Sequence, residues 1–232
     1  MNKRNARDDV SLVAHMVHDL KNPLGIVLGY AEAMTLADSS EQAELSSRLI
    51  INARAVLEVL DQYSLLADLR RKRITLERTR CDWRTLSGRV LKDVAEAARE
   101  RDQEITCRAD EAVTVHADAH RLEQVMRLLT REALRSTVRG TRLLLTAQPV
   151  EGAVELRLSV TAASSDNVPD SPTALQVFDP ERPVIELVQR LVELHGGSLS
   201  FDSEPNQAAA IVLLPTARTS SRGSRRVGRA AG

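Results

Sequence analysis

The sequence predicts an α+β protein, in which an antiparallel helical hairpin is followed by an α/β sandwich. Apolar residues repeat at heptad spacing over residues 10–34 and again over the next segment, as in paired helices. After Arg71 the pattern changes to short strand-like runs that alternate with helices. Hydrophobic residues make up 43% of the chain but aromatic residues only 2%, so we expect a core of aliphatic side chains in a soluble protein.

The first helix is predicted over residues 10–34, where apolar residues follow alternating steps of three and four. This spacing is typical of the seam of a coiled coil or an antiparallel bundle. The predicted seam consists of Val10, Val13, Val17, Leu20, Leu24, Val27, Ala31 and Met34. His18 lies one residue beyond the seam and is expected to reach solvent. Gly25 and Gly29 share its stripe and leave that face open for a partner.

The second helix is predicted from about Glu41 to Arg71, after a turn in which Ser39 and Gln42 have the spacing of a capping box. Its predicted seam consists of Leu49, Ala53, Val56, Leu60, Tyr63 and Ala67. Both helices carry further apolar residues beside the seam, namely Leu12, Met16, Ile26, Ile50 and Leu57. A single hairpin leaves these uncovered, so we expect a homodimer with a dimeric four-helix bundle.

The remaining elements follow from shorter patterns. Strands are predicted over 74–77, 104–107, 112–116, 142–148, 153–161, 198–202 and 208–214. Helices are predicted over 82–101, 119–136 and 183–195, and Gly196-Gly197 ends the last of them. Residues 162–173 are expected to form a polar loop.

The charges are unevenly distributed along a chain of zero net charge. Residues 216–232 contain five arginines and no acid, which leaves 27 basic against 32 acidic residues elsewhere. We expect this tail to be disordered, and it lacks the interleaved aromatic residues that would predict binding to nucleic acid. Cys81 and Cys107 have no metal-ligand spacing and are expected to be buried thiols. There is neither an apolar run of about 18 residues nor a signal-peptide pattern, so we expect a cytoplasmic protein without membrane insertion.

The most unusual segment is HDLKNPL, residues 18–24. A proline inside a helix costs about 3 kcal/mol or more, which suggests a functional reason for Pro23. Histidine phosphorylation needs one ring nitrogen free while the other retains its proton. The neighbouring Asp19 can accept a hydrogen bond from that proton and stabilise the imidazolium. We therefore interpret His18 as an exposed nucleophile that carries a phosphoryl group.

Three segments resemble the catalytic half of bacterial sensor histidine kinases. HDLKNPLGIVLGYAE (18–32) resembles the phospho-acceptor box of that family. VHADAHRLEQVM (115–126) resembles the stretch that leads into the asparagine box of the family. LVQRLVELHGGSLSFDSEP (187–205) resembles the helix and strand that follow its second glycine-rich box. The resemblance covers residues 11–215. It implies a dimerisation and histidine-phosphotransfer hairpin followed by a Bergerat-type ATPase domain.

The residues that handle ATP in this family are missing from the chain. Glu132 stands where the family has its magnesium-binding asparagine, and Leu128 replaces an earlier asparagine. The second glycine box is replaced by Glu-Arg-Pro-Val over 181–184. The Asp-x-Gly-x-Gly box is replaced by Ala162, Ser164 and Asp166. Because glycine loops let backbone N–H groups approach phosphates, we expect a degenerate ATPase domain that binds no nucleotide.

The resemblance also suggests roles for residues near His18. An amide at the position of Asn22 helps to position water when a phosphorylated partner is hydrolysed, although a solvated polar residue is an equal alternative. Lys21 is a candidate contact for phosphate or an acidic partner, with a solvated charge as the alternative, and Pro23 is expected to bend the helix. No catalytic or metal-binding role is expected for His15, His116, His120 or His195.

We therefore predict a histidine phosphotransferase that exchanges a phosphoryl group between His18 and aspartates of response-regulator receiver domains. It is expected to need no cofactor or metal of its own, because the receiver brings Mg²⁺. The expected domains are the hairpin (8–72), the degenerate ATPase-like sandwich (73–215) and the basic tail (216–232). Two alternatives remain: a divergent ATP-dependent sensor histidine kinase, and a pseudokinase that regulates a receiver or another kinase by contact.

Overall fold

Two long helices form a hairpin at the start of the chain. The computed structural model describes residues 3–38, 40–108, 112–161, 174–204 and 207–216. Helix α1 spans Lys3–Leu36, α2 spans Gln42–Arg70, and the two helices pack along each other. The predicted hairpin is confirmed, with α1 extending beyond residues 10–34 at both ends.

The turn between the helices is closed by Asp38 rather than by the predicted capping box. The Asp38 carboxylate accepts hydrogen bonds from the Ser40 amide (2.8 Å) and hydroxyl (2.5 Å). These bonds, with one from the Glu41 amide, lower the pKa of Asp38. Gln42 donates its side-chain amide to the carbonyl of Ala37, and Glu41, which precedes α2, makes no side-chain cap hydrogen bond. The predicted role of Gln42 is therefore wrong, and Ser39 lies outside the described residues.

The buried face of α1 differs from the predicted seam in its N-terminal half. Val13, Val17 and Leu24 are exposed, whereas Leu12 and Met16 are half-buried. The other predicted positions with described side chains are half-buried, namely Leu20, Val27, Ala31 and Met34. Helix α1 has two adjacent apolar stripes, and a heptad count does not decide which of them faces α2.

The seam of α2 is mostly as predicted. Its half-buried or buried positions include Leu49, Ala53, Val56, Tyr63 and Ala67. Leu60 was expected in the seam but is exposed, together with Ile50, Ile51 and Leu57. The hairpin thus presents an uncovered apolar surface from both of its helices.

Among the described residues of the second part of the chain, seven strands form two sheets. They are β1 (Thr79–Asp82), β2 (Glu104–Arg108), β3 (Thr114–Ala117), β4 (Arg142–Val150), β5 (Ala153–Thr161), β6 (Ser198–Glu204) and β7 (Gln207–Pro215). The larger sheet has the order β2-β4-β5-β7-β6; β2 and β4 pair in parallel and the other pairs are antiparallel. Strands β1 and β3 form a separate antiparallel pair with Cys81 opposite Val115.

Helices cover this sheet and complete the α/β sandwich. They are α3 (Trp83–Glu100), α4 (Ala119–Ser136), the short α5 (Ala174–Val177) and α6 (Pro183–Leu194). Helices α3 and α4 begin at Asp82 and Asp118, whose carboxylates accept hydrogen bonds from backbone amides in the first turn. Helix α6 begins with Pro183 and ends before Gly196, whose φ of 78° closes the turn into β6. The predicted α+β fold is confirmed.

The strand predicted over 74–77 is wrong. Within the described residues this segment has no strand partner, and pairing begins only at Thr79, opposite Ala117. The Glu77 amide instead donates to the Asp118 side chain at 3.1 Å, so its hydrogen bond goes to a helix cap and not to a ladder.

The two cysteines, the polar loop and the basic tail were also subjects of sequence predictions. Cys81 is buried as predicted, and Cys107 is half-buried; both are free thiols. The predicted loop over 162–173 and residues 217–232 of the basic tail lie outside the described residues. In the part of the chain that is described, no helix is both long enough and apolar enough to span a membrane.

Candidate functional site

His18 projects from the middle of α1 and its side chain is 87% exposed. Its Nδ1 atom lies 3.3 Å from Oδ1 of Asp19. A carboxylate can only accept, so in a neutral ring this contact favours the tautomer with the proton on Nδ1 and the lone pair on Nε2. One nitrogen of this exposed ring is thus in contact with the neighbouring carboxylate.

Asp19 has a second partner that sequence reasoning missed. The hydroxyl of Tyr63, on α2, donates to Oδ2 of Asp19 at 2.9 Å. Burial, together with the hydrogen bond and the negative charge of Asp19, raises the pKa of Tyr63 well above its usual value. The phenol therefore remains a donor at physiological pH. The heptad pattern had assigned Tyr63 only to the seam, and no pairing signal links it to Asp19 in the sequence.

The other predicted site residues lie further along α1, after His18 and Asp19. Pro23 is half-buried inside α1, and Lys21 and Asn22 are exposed. An added Cβ at Gly25 or Gly29 would meet nothing within 4 Å. The face of α1 below His18 is thus sterically open.

A cleft of about 380 Å³ separates His18 from the sandwich. His18, Asp19 and Asn22 line it from α1, and Glu58 and Tyr63 from α2. The opposite wall consists of Leu128, Arg131, Glu132, Arg135, Arg182, Pro183 and Val184. These include the residues that replace the asparagine box and the second glycine box. The first glycine-box positions, Ala162, Ser164 and Asp166, lie outside the described residues.

Glu132 is the centre of the ion pairs on this wall. Its side chain is 6% exposed and lies 2.6 Å from Arg135 Nη2 and 3.2 Å from Arg182 Nε. Burial raises the pKa of Glu132, although the hydrogen bond and charge of Arg135 oppose that effect. The wall thus places a buried carboxylate and two guanidinium groups where the family resemblance expects a magnesium-binding amide and a glycine loop.

Ion pairs also join the hairpin to the sandwich. Arg70 of α2 binds Glu186 of α6 through two hydrogen bonds, of 3.0 and 2.5 Å, and Arg190 adds a third of 2.7 Å. Nearer His18, Arg131 of α4 pairs with Glu58 of α2. These contacts set the position of the sandwich relative to His18.

The remaining histidines do not line this cleft. His195 is 3% exposed; its Nδ1–H donates to the Leu191 carbonyl (2.7 Å), and its Nε2 accepts from the Asp118 amide (3.2 Å). Burial lowers the pKa of His195, which keeps it neutral. His15, His116 and His120 are exposed. Among the described residues, no three His, Cys, Asp or Glu side chains gather into a group that could hold a metal ion.

Comparison with known proteins identifies the hairpin. The sequence profile of the His Kinase A (phospho-acceptor) domain matches residues 10–72, the segment that contains His18, Asp19 and Tyr63. The sandwich resembles catalytic domains of histidine kinases in solved structures. The chain carries a sensor histidine kinase-like region.

Curated relatives match most of this region. The sensor protein DivL of Caulobacter vibrioides is 29% identical over 215 residues, which cover 85% of this chain and 26% of DivL. The sensory histidine kinase/phosphatase NtrB of Azospirillum brasilense is 26% identical over 91% of this chain and 57% of NtrB. The chain therefore spans only about a quarter to a little over half of these relatives.

Solved structures show the same fold. The histidine kinase AdeS of Acinetobacter baumannii superposes with a TM-score of 0.65 at 15% identity, covering 86% of this chain and 98% of that one. The histidine kinase ThkA, in complex with the response regulator TrrA, gives 0.59 at 19% identity and covers 93% and 64% of the two chains. Full-length ShkA in complex with AMPPNP gives 0.57 at 23% identity, with coverages of 89% and 46%.

Proposed function

We propose that this protein is a histidine phosphotransferase of a two-component phosphorelay, which carries a phosphoryl group on His18 without binding ATP. The observation that carries the proposal is the wall opposite His18. There Glu132, Arg182 and Pro183 occupy the positions of the nucleotide boxes, and the first two are joined by an ion pair. Side chains and a proline ring prevent the close backbone approach that phosphate binding by a glycine loop requires.

The proposed transfer follows from the geometry of His18 and Asp19. Nε2 of His18 attacks the phosphorus of a receiver aspartyl phosphate, and the bond from phosphorus to the carboxylate oxygen breaks. The aspartate leaves with the electron pair, while Nδ1 of His18 keeps its proton. The imidazolium so formed lies against the carboxylate of Asp19. The receiver is proposed to bring the Mg²⁺, and this chain supplies position and charge stabilisation.

The partners proposed for this chain are receiver domains and a second copy of itself. The structural similarity to ThkA, which was solved with a response regulator, supports the first. The exposed apolar residues of the hairpin support the second, because a four-helix bundle would bury them; they include Val13, Val17, Leu28, Ile51 and Leu57. In this arrangement Lys21, Pro23, Gly25 and Gly29 would face the receiver, and Asn22 would position water for its dephosphorylation.

The test is transfer from phosphorylated receivers. Receiver domains from the source organism are charged with a radiolabelled small acyl phosphate, purified and mixed with the protein. We expect acid-labile label on the wild type and none on His18→Ala. Label that persists on His18→Ala, or the absence of transfer from every receiver, would refute the proposal.

The alternative is an ATP-dependent sensor histidine kinase. The name of the relative NtrB and the AMPPNP complex of ShkA favour it, as does the room in the cleft beside His18. It predicts that Mg²⁺ and ATP raise the melting temperature and label His18, whereas the phosphotransferase shows neither effect.

A third function is regulation by contact alone, as a pseudokinase. It predicts that His18→Ala keeps full biological activity in cells. The preserved pair of His18 and Asp19 argues for the transfer reaction, because a contact surface does not need an oriented imidazole.

A further inference from the structure

Asp19 lies between two side chains from different helices. One of its oxygens faces Nδ1 of His18 at 3.3 Å, and the other accepts the hydroxyl of Tyr63 at 2.9 Å. Tyr63 stands 44 residues further along the chain, on α2, so only the packing of the hairpin brings it here. Tyr63 is buried, with 7% of the residue exposed, whereas the side chain of His18 is 87% exposed. The three groups form a line from the interior of the hairpin to the solvent.

The contact between His18 and Asp19 is unusual for its position. Consecutive residues on a helix point in directions about 100° apart and do not normally face each other. The Asp19 carboxylate must therefore be turned toward its neighbour and kept there. On an exposed helix face such a contact would exchange freely with water. The hydroxyl of Tyr63 supplies the fixed point, since the ring is held by burial and has one strongly directed donor.

We propose that Tyr63 is a positioning residue for phosphoryl transfer. By holding one oxygen of Asp19, it directs the other at Nδ1 of His18. The proton then stays on Nδ1, and Nε2 is presented to the phosphorus atom. Tyr63 touches neither the phosphoryl group nor the reacting nitrogen and acts only through Asp19. This inference rests on the proposed function of His18, but its effect on the imidazole can be measured without any transfer.

The competing explanation is a buried tyrosine whose hydroxyl has merely found an acceptor. In that case Tyr63→Phe would change stability but leave His18 unaffected. Phenylalanine keeps the ring that packs in the hairpin and removes only the hydroxyl, so this substitution separates the two explanations. Tyr30→Phe is the matched control, because Tyr30 is half-buried on α1 and lies 12 residues from His18, roughly 18 Å along the helix.

The first measurement is the ¹⁵N NMR spectrum of the His18 ring in the intact protein. Wild type and Tyr30→Phe should show predominantly the Nδ1–H tautomer of the neutral ring. Tyr63→Phe should show a mixture of tautomers close to that of a free histidine side chain. Its other resonances should remain those of a folded protein. An unchanged tautomer population in Tyr63→Phe would overturn the inference.

The second measurement is single-turnover transfer from a phosphorylated receiver. Tyr63→Phe should lower the maximal rate roughly tenfold, the effect of one hydrogen bond to a charged group, with an unchanged half-saturating receiver concentration. In an Asp19→Asn background, Tyr63→Phe should add no further loss, because its target carboxylate is gone. A full additional loss in that background would show a general structural role and overturn the inference. If wild type accepts no phosphoryl group from any receiver, the proposed function fails, and the NMR spectrum still decides the role of Tyr63.

Discussion

The ion pair between Arg70 and Glu186 should stabilise the contact between the hairpin and the sandwich. Both side chains are partly buried, at 23% and 28% exposure, and the guanidinium group makes two hydrogen bonds to the carboxylate. Hydrogen bonds to charged groups contribute about 1.5–3 kcal/mol, and the remaining bond from Arg190 reduces the loss. We therefore expect Arg70→Met to lower the free energy of unfolding by about 1.5 kcal/mol at pH 7.

The pH dependence of this loss gives the sharper test. Burial opposes ionisation of Glu186, but the hydrogen bonds and charges of Arg70 and Arg190 prevail and lower its pKa. A carboxyl group whose pKa is lower in the folded state stabilises the protein above its unfolded-state pKa of about 4.3. That stability is lost as the pH falls through the folded-state pKa. The effect of Arg70→Met should therefore shrink below about pH 4.

The assay is urea denaturation of wild type, Arg70→Met, Glu186→Gln and the double variant at pH 7 and at low pH. The coupling energy between the two positions should be favourable at pH 7 and nearly absent at the low pH. As the control, Arg139→Met breaks the exposed pair with Asp102, whose side chains are 71% and 68% exposed, and should change little. An equal loss in the control, or a coupling energy that does not depend on pH, would refute the reasoning.

Three further substitutions test other parts of the structure. Gly197→Ala should destabilise the protein by at least about 2 kcal/mol in urea denaturation, because the added Cβ would overlap the Leu213 carbonyl oxygen. Gly88→Ala is the control: it has open space around it in α3 and should stabilise the protein by up to about 1 kcal/mol. Leu57 is 61% exposed, and Leu57→Asp should convert a dimer to a monomer, as measured by light scattering, while the helix content is retained. An unchanged molecular mass would show that this face of α2 is not part of a dimer interface. Glu132→Asn alone should not produce ATP binding in calorimetry, because the residues that replace the glycine box remain, and binding by this variant would show that they are compatible with nucleotide.

The sequence predicted the order of the elements because its patterns are local. Heptad spacing identified the hairpin, and the helical patterns over 82–101 and 119–136 correspond closely to α3 and α4. At Val13 and Val17 the stripe of α1 that faces α2 differs from the predicted seam, because the choice between the two stripes depends on how α2 packs. The prediction of a strand over 74–77 was wrong for a related reason. The Glu77 amide donates to Asp118, which only the tertiary structure brings near.

The candidate site likewise contains residues that the sequence predicted and residues that only the folded structure brings together. His18, Asp19 and Asn22 are close in sequence, and their spacing alone predicted a common location. Tyr63 was missed as a functional residue, because heptad spacing predicts which side of α2 is buried but not which acceptor its hydroxyl meets. The ion pair of Glu132 with Arg182 joins residues on α4 and at the start of α6, and only the folded sandwich places them together opposite His18.

The central claim is that His18 receives its phosphoryl group from a receiver domain and not from ATP. The most direct test measures acid-labile label on His18 in one preparation, incubated either with radiolabelled ATP and Mg²⁺ or with a labelled receiver. We predict label from the receiver and none from ATP, even after long incubation at millimolar nucleotide. Label on His18 from ATP alone would contradict it and would establish a histidine kinase.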